Sequence, residues 1–293
     1  MNEIGMSKHP DVYTVVEHPE ITRKYLDLRY AAKTKSEYLD IYLPEEGEGP
    51  FPVIVDIHGG GWHYGVKSSR RMHPVIDGLK RGYAVVSLAY TLSGEAQFPV
   101  QIHDVKAAVR FLRAHAAEYR LDPGKIGLWG LSAGAHLAAL AGTTNGVDVL
   151  EDKSMGNESY SSDVQAVVAL YAPVNLAVCQ VEENRAFGSN TPEGLYLGVD
   201  PLEGKEIVEM ADPVSYLRGE RDNIPPFFMQ YGDEDEIVSA KQGVYLKAAL
   251  ERYLPSDQIY FEIVHGAKHA DELYRTKENT EKIYGFWNKH LKK

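Results

Sequence analysis

The chain has 293 residues, 44% of them hydrophobic and 25% charged, with a formal net charge of −11 at pH 7. That apolar content suffices for a large core, and the acidity argues against partners that select basic patches, nucleic acids and anionic membrane surfaces. The one cysteine, Cys179, excludes an internal disulfide and any multi-cysteine metal site, and reads as a small buried residue.

Residues 1–20 show no clear period and carry His9-Pro10 and His18-Pro19, which predicts an arm lying over the body. No apolar h-region opens the chain and no window approaches the length of a membrane span, so the expectation is a cytoplasmic protein without a membrane partner. Tyr25–Tyr30 and Glu37–Leu43 alternate apolar and polar residues, the pattern of an antiparallel hairpin at a sheet edge, before a loop over 45–52. Val53–Ile57, Tyr83–Leu88, Val164–Leu170, Pro226–Tyr231 and Ile259–Val264 are short apolar runs of buried strands. Helices are predicted over Met72–Arg81, after Pro99, over Ser239–Tyr253 with a Ser239/Gln242 capping box, and at the end with Ile283, Phe286, Trp287 and His290 on one face. Residues 175–222 break the alternation and read as a cap inserted in the core. Strands separated by helices predict an α/β fold, a mostly parallel twisted sheet with helices on both faces, as one domain over 1–293.

In such a sheet, ligands bind beyond the carboxyl ends of the strands. Lys125–Leu131 reads as a strand and Ala133–Leu140 as a helix, and between them Gly130-Leu131-Ser132-Ala133-Gly134 matches G-x-S-x-G. That pentapeptide is a sharp strand-to-helix turn that presents the serine, with glycines where any Cβ would collide. A serine needs a histidine base to become a nucleophile, and the histidine needs a carboxylate on its other nitrogen. The order Ser132…Asp235…His269 supplies both, with Asp233, Glu234 and Glu236 as rival acids in a solvated loop. His265 directly ends the last strand and reads as structural or cleft-lining; His269, further into the loop, is placed to swing over the serine. Gly60 and Gly61, in the run His58-Gly59-Gly60-Gly61-Trp62, together with the Ala133 N–H, are candidates for an oxyanion hole. Trp62 either lines the cleft or packs the glycine loop. His103, His115 and His136 read as packing or surface residues, and Asp104 as a helix-start cap. No histidine pair has a carboxylate at metal-binding spacing, so no metal is expected.

Together these pieces resemble the α/β-hydrolase esterase/lipase superfamily, close to the bacterial feruloyl and acetyl-xylan esterase-like carboxylesterases. The resemblance rests on Asp40–Pro44, His58–Trp62, Phe98-Pro99 with Asp104, Gly130–Gly134 with His136–Ala138, Ala211–Ser215, and Gly232-x-x-Asp235 with Val238. It implies an acyl-enzyme mechanism without cofactor, with Ser132 as nucleophile, Asp235 as acid and His269 as base. It also implies short-chain or aryl acyl esters of carbohydrates as substrates. Alternatives are a general small-ester carboxylesterase, an arylformamidase, since relatives with a His-Gly-Gly-x-Trp loop hydrolyse formyl amides, or a catalytically silent ligand-binding homologue. Position 135 is Ala where the family has a second glycine, and Thr91 follows Tyr90 where many relatives carry Arg. Trp62, Tyr90 and His265 are the candidate substrate-binding residues.

Overall fold

The computed structural model describes residues 10–182 and 188–292. Its strands are β1 (Lys24–Arg29), β2 (Tyr38–Tyr42), β3 (Phe51–Ile57), β4 (Ala84–Leu88), β5 (Leu121–Leu131), β6 (Ala166–Leu170), β7 (Phe227–Gly232) and β8 (Ile259–Val264). They form one eight-stranded sheet in the order β1-β2-β4-β3-β5-β6-β7-β8. The predicted hairpin is antiparallel at the edge, β2 joins β4 antiparallel, and every pairing from β4 through β8 is parallel. β3, β4, β6, β7 and the Ile126–Leu131 half of β5 are almost wholly buried because their apolar runs are covered from both sides.

The helices are α1 (His73–Ile76), α2 (Val100–Ala114), α3 (Ala133–Thr143), α4 (Leu176–Glu182), α5 (Pro192–Leu197), α6 (Lys205–Ala211), α7 (Ala240–Leu250) and α8 (Lys277–Leu291). α2, α3 and α7 bury their apolar stripes on one face of the sheet, where Ile102, Val105, Leu137 and Leu246 meet Val53, Val55 and Leu128. On the other face Ile283, Phe286 and Trp287 of α8, joined by Tyr284, pack with Val75 of α1 against Ile54, Trp129 and Phe228.

Two predicted elements change form. Met72–Arg81 is not one helix: a 3-10 turn over Arg70–Met72 leads into the four-residue α1, and a second 3-10 turn, Leu79–Arg81, ends on left-handed Gly82. Pro74 lies in the first turn of α1, and the Gly78 N–H closes back on the Val75 carbonyl, so the chain stops after one turn. The capping box of α7 is also replaced. Ser239 Oγ accepts the Lys241 N–H, whereas Gln242 Oε1 accepts the N–H groups of Val174 and Asn175, both at 2.9 Å. Gln242 thus ties the loop after β6 to α7.

Residues 1–9 of the predicted arm and 183–187 of the predicted insertion lie outside the described residues. The remainder of the arm runs beside residues 66–70, with Val16 N–H donating to the Ser68 carbonyl and Arg70 N–H to that of Thr14. The rest of the insertion, α4 to α6 and a 3-10 turn over Pro213–Tyr216, connects β6 to β7. No helix of the described residues is long and apolar enough to cross a membrane.

Candidate active site

Ser132 lies between the end of β5 and the start of α3 with φ 53° and ψ −119°, a backbone conformation that costs a non-glycine residue energy. The surroundings force it. A Cβ on Gly130 would fall 2.3 Å from the Gly134 carbonyl oxygen, and one on Gly134 would fall 2.1 Å from that of Ile57. The turn therefore nests against the end of β3 with no side chain between, and the Ser132 N–H donates to the Leu170 carbonyl on β6 at 3.0 Å. Ala135 is fully buried in place of the family's glycine.

Ser132 Oγ is 2.9 Å from His269 Nε2, and His269 Nδ1 is 2.8 Å from Asp235 Oδ2. The Asp235 side chain is fully buried, and its other oxygen accepts the N–H groups of Ile237 and Val238 at 2.8 and 2.9 Å. Two backbone donors hold the carboxylate while the ring takes the third bond. An arrangement of this kind can pull the hydroxyl proton onto Nε2 and stabilise the imidazolium that results.

The serine, His269, Gly60, Gly61 and Ala133 line one cavity of about 280 Å³. Gly60 and Gly61 have φ values of 116° and 58°. Among the described residues the N–H groups of Gly60, Gly61 and Ala133 donate to no other group, and all three residues border the space above Ser132. The N-terminus of α3 adds its dipole there. Asp104, expected as a helix cap, serves elsewhere: its Oδ2 accepts the Thr91 N–H at 2.7 Å, while Pro99 occupies the N-cap of α2. Burial raises the Asp104 carboxyl to about 7.

The three candidate substrate-binding residues part company. Trp62 packs beneath the cleft. It borders the cavity, yet is only 1% exposed, stacked on Tyr196 of α5 at 4.4 Å and edge-on to His136 of α3 at 5.2 Å. His136 is a packing residue: burial depresses it to about 4, and its Nε2–H donates to the Ala211 carbonyl at 2.8 Å. Tyr90 does not reach the cavity. It is buried behind the glycine loop, stacked on His58 at 4.4 Å, and its hydroxyl donates to the His58 carbonyl. His265 also lies outside: its side chain is 88% exposed, against 13% for His269, and its Nδ1 pairs with Asp233 at 2.8 Å. Gly266, at φ 77°, bends the loop so that His265 faces solvent and His269 faces in.

Other lining residues carried no sequence signal of their own. Val12 and Tyr13 come from the N-terminal segment, Pro192, Glu193 and Leu195 from α5, and Arg71 from the turn before α1. Tyr171 directly follows β6 in sequence, a position that strand-end reasoning can reach. Its ring stands edge-on to that of His269 at 5.0 Å. Among the described residues no group of three His, Cys, Asp or Glu side chains is disposed to hold a metal ion.

Comparison with known proteins matches residues 39–250 to the BD-FAE family model. The chain belongs to the BD-FAE family. It is similar to Esterase LipQ of Mycobacterium tuberculosis, 29% identical over 261 residues that cover 88% of this chain and 60% of that protein. A solved structure titled as a truncated form of a carbohydrate esterase from gut microbiota is 30% identical. It covers 96% of this chain and 100% of that one with a TM-score of 0.84. A bifunctional GH43-CE protein of Bacteroides eggerthii is 32% identical, covering 91% of this chain and 38% of that one, with a TM-score of 0.79. The chain spans about three fifths of the length of the first curated relatives it matches. This BD-FAE member has the α/β-hydrolase fold, as its sheet order and these structural relatives show.

Proposed function

We propose that the chain is a serine carboxylic-ester hydrolase working through an acyl-enzyme. The observation that carries this reading is the continuous hydrogen-bonded line from Ser132 Oγ through His269 to the buried Asp235 carboxylate. Ser132 Oγ attacks the ester carbonyl as His269 Nε2 takes its proton, and the tetrahedral oxyanion forms against the N–H groups of Gly60, Gly61 and Ala133. His269 then returns the proton to the departing alcohol. A water deprotonated by His269 attacks the acyl-serine, and collapse of the second oxyanion releases the acid and restores Ser132. No step calls for a cofactor.

Within that class, short-chain or aryl esters of carbohydrates are the reading favoured here. It is supported by the gut carbohydrate esterase, similar over nearly the full chain. The 175–222 insertion is read as a cap that shapes the cleft, a reading supported by Pro192, Glu193 and Leu195, which line the cavity. A fluorophosphonate probe tests the chemistry: wild type is expected to be labelled and Ser132→Ala not, and no labelling of folded wild type would end the claim. A panel of nitrophenyl acetate, acetylated xylan, methyl ferulate and N-formylkynurenine tests the substrate. Hydrolysis of the formyl amide far above every ester would replace the ester reading.

A further inference from the structure

One wall of the cavity over Ser132 is aromatic, and the chemistry of the triad makes no use of it. Among the described tryptophan and tyrosine residues that border the cavity, Trp62 and Tyr171 are buried, packed on Tyr196 and His269 respectively. Tyr13 and Tyr64 are only half-buried, and their rings meet edge to face at 5.7 Å with 66° between the planes. The two reach the cavity from different parts of the chain. Tyr64 closes the turn of the glycine loop: its N–H donates to the Gly60 carbonyl at 2.9 Å, and a Cβ on Gly60 would fall 2.4 Å from the Tyr64 carbonyl oxygen. Tyr13 is carried on the N-terminal segment, and the backbone on both sides of it is tied down. The Val12 carbonyl accepts the Val66 N–H at 3.2 Å, and the Thr14 carbonyl accepts that of Arg70 at 3.0 Å.

These ties also fix the side of the cavity on which the pair stands. Residues 12–14 lie along 66–70, and the next residue, Arg71, donates to the carbonyl of Ala270, beside His269, at 3.3 Å. The pair therefore stands between the glycine loop and the loop of His269. His269 gives its proton to the departing alcohol, so the alcohol half of a bound ester extends on this side. A sugar ring matches a wall of this kind. Its faces carry C–H bonds, apolar and slightly positive, which suit the negative face of a tyrosine ring, while the hydroxyls at its rim stay in water. A tyrosine side chain has only two torsions to order, and here the backbone that carries it is fixed before substrate arrives.

We propose that Tyr13 and Tyr64 form the subsite for a neutral sugar ring in the alcohol half of the ester, with Tyr13 as a specificity-determining residue. This rests on the serine ester hydrolase reading above and gives its alcohol half a place. The test compares two acetyl esters, acetylated xylotriose and sugar-free ethyl acetate, by the ratio of their kcat/KM values. Tyr13→Leu keeps apolar bulk but removes the ring, and is expected to lower the ratio of sugar ester to ethyl acetate by about tenfold, the upper range of one ring contact. The loss is expected in KM for the sugar ester, because the ring stacks equally well before and during reaction. Tyr13→Phe keeps the face and is expected to keep the wild-type ratio. An unchanged ratio in Tyr13→Leu overturns the proposal, and so does a fall of both esters by one factor, because Tyr13 then only props the glycine loop through Tyr64. A fall in Tyr13→Phe equal to that in Tyr13→Leu also overturns it, since the hydroxyl and not the ring would be the contact. Should Tyr13→Leu fail to fold, saturation-transfer NMR on wild type with unacetylated xylotriose decides: transfer from aromatic protons to sugar C–H protons is expected, and its absence overturns the proposal. Ethyl acetate hydrolysis with no dependence of the ratio on Tyr13 removes this proposal alone; absence of hydrolysis of both esters together with absence of fluorophosphonate labelling removes the hydrolase reading as well.

Discussion

Asp235 Oδ2 lies 2.8 Å from His269 Nδ1, and the carboxylate that makes this bond is wholly shielded from water. Its other oxygen is occupied by the N–H groups of Ile237 and Val238, so the group is fixed before any substrate arrives. Asp235→Asn keeps the shape but offers an N–H where His269 needs an acceptor, which favours the wrong tautomer. The expected result is a loss of roughly 10³- to 10⁴-fold in kcat with little change in KM. Steady-state kinetics on a nitrophenyl ester measures it, and a loss under tenfold would remove Asp235 from the mechanism.

The two histidines after β8 give opposite forecasts. His265 is a solvent-facing partner of Asp233, whose carboxyl that hydrogen bond holds below its usual range. His265→Ala is expected to keep kcat/KM within about threefold of wild type, as an exposed pair contributes little. His269→Ala is expected to lose at least ~10³-fold, the scale of a missing general base with its triad partner stranded. Comparable losses in both variants would mean that the base has been misassigned.

Gly134 marks the tightest approach of the turn to the sheet. A methyl there would sit 2.1 Å from the Ile57 carbonyl oxygen and 2.5 Å from that of His58, backbone atoms with no rotamer to retreat into. Gly134→Ala is expected to destabilise the fold by about 2–3 kcal/mol, at the upper end of overpacking costs, and to displace Ser132 from its line with His269. Denaturant unfolding reads the first effect and fluorophosphonate labelling rate the second; near-wild-type values for both would show that the elbow tolerates a Cβ.

Asp56 in β3 is 2% exposed, and its Oδ1 has no hydrogen-bond partner among the described residues. Burial raises its carboxyl to about 7, against an ordinary value of 3.8. Between those values the folded chain holds a proton that the unfolded chain has released, so this group's contribution is present at acid pH and lost as pH rises toward 7. His58 and His136 act oppositely. Burial lowers both to about 4, so the stability they contribute as neutral rings is lost as pH falls from 6.5 toward 4. Asp56→Asn removes only the first effect. Its stability relative to wild type is expected to climb from pH 4 to pH 8 by at most ~4 kcal/mol, read by urea midpoints across pH. A flat difference would mean that Asp56 is not protonated in the fold at pH 4–7.

Much of the fold was legible because its signals are local. Apolar runs bounded by turn residues marked the central strands, and a glycine two residues either side of Ser132 marked the elbow, since steric exclusion is written into neighbouring positions. What failed was long-range. Gln242 matched a capping box but is taken by Val174 and Asn175 from another loop, and Asp104 matched a helix cap but is taken by Thr91. Tyr90 and His265 follow strand ends, yet adjacency does not say which way a side chain turns: one stacks on His58 behind the loop and the other points to water. Arg71 sits in the polar run Lys67-Ser68-Ser69-Arg70-Arg71, which reads as surface until the N-terminal segment and the 269–270 loop are brought over it.

The cavity over Ser132 is assembled from two kinds of chain. Its floor comes from strand ends locked into the hydrogen-bond ladder, while part of its walls comes from Val12, Tyr13 and residues 192–195, about 180 positions apart and outside the sheet. Changes in the floor are felt throughout the core, whereas changes in those walls leave the ladder intact. Substrate preference can therefore drift, or be engineered, by rewriting two peripheral stretches while the reaction chemistry stays constant, so relatives with superimposable sheets need not share an ester.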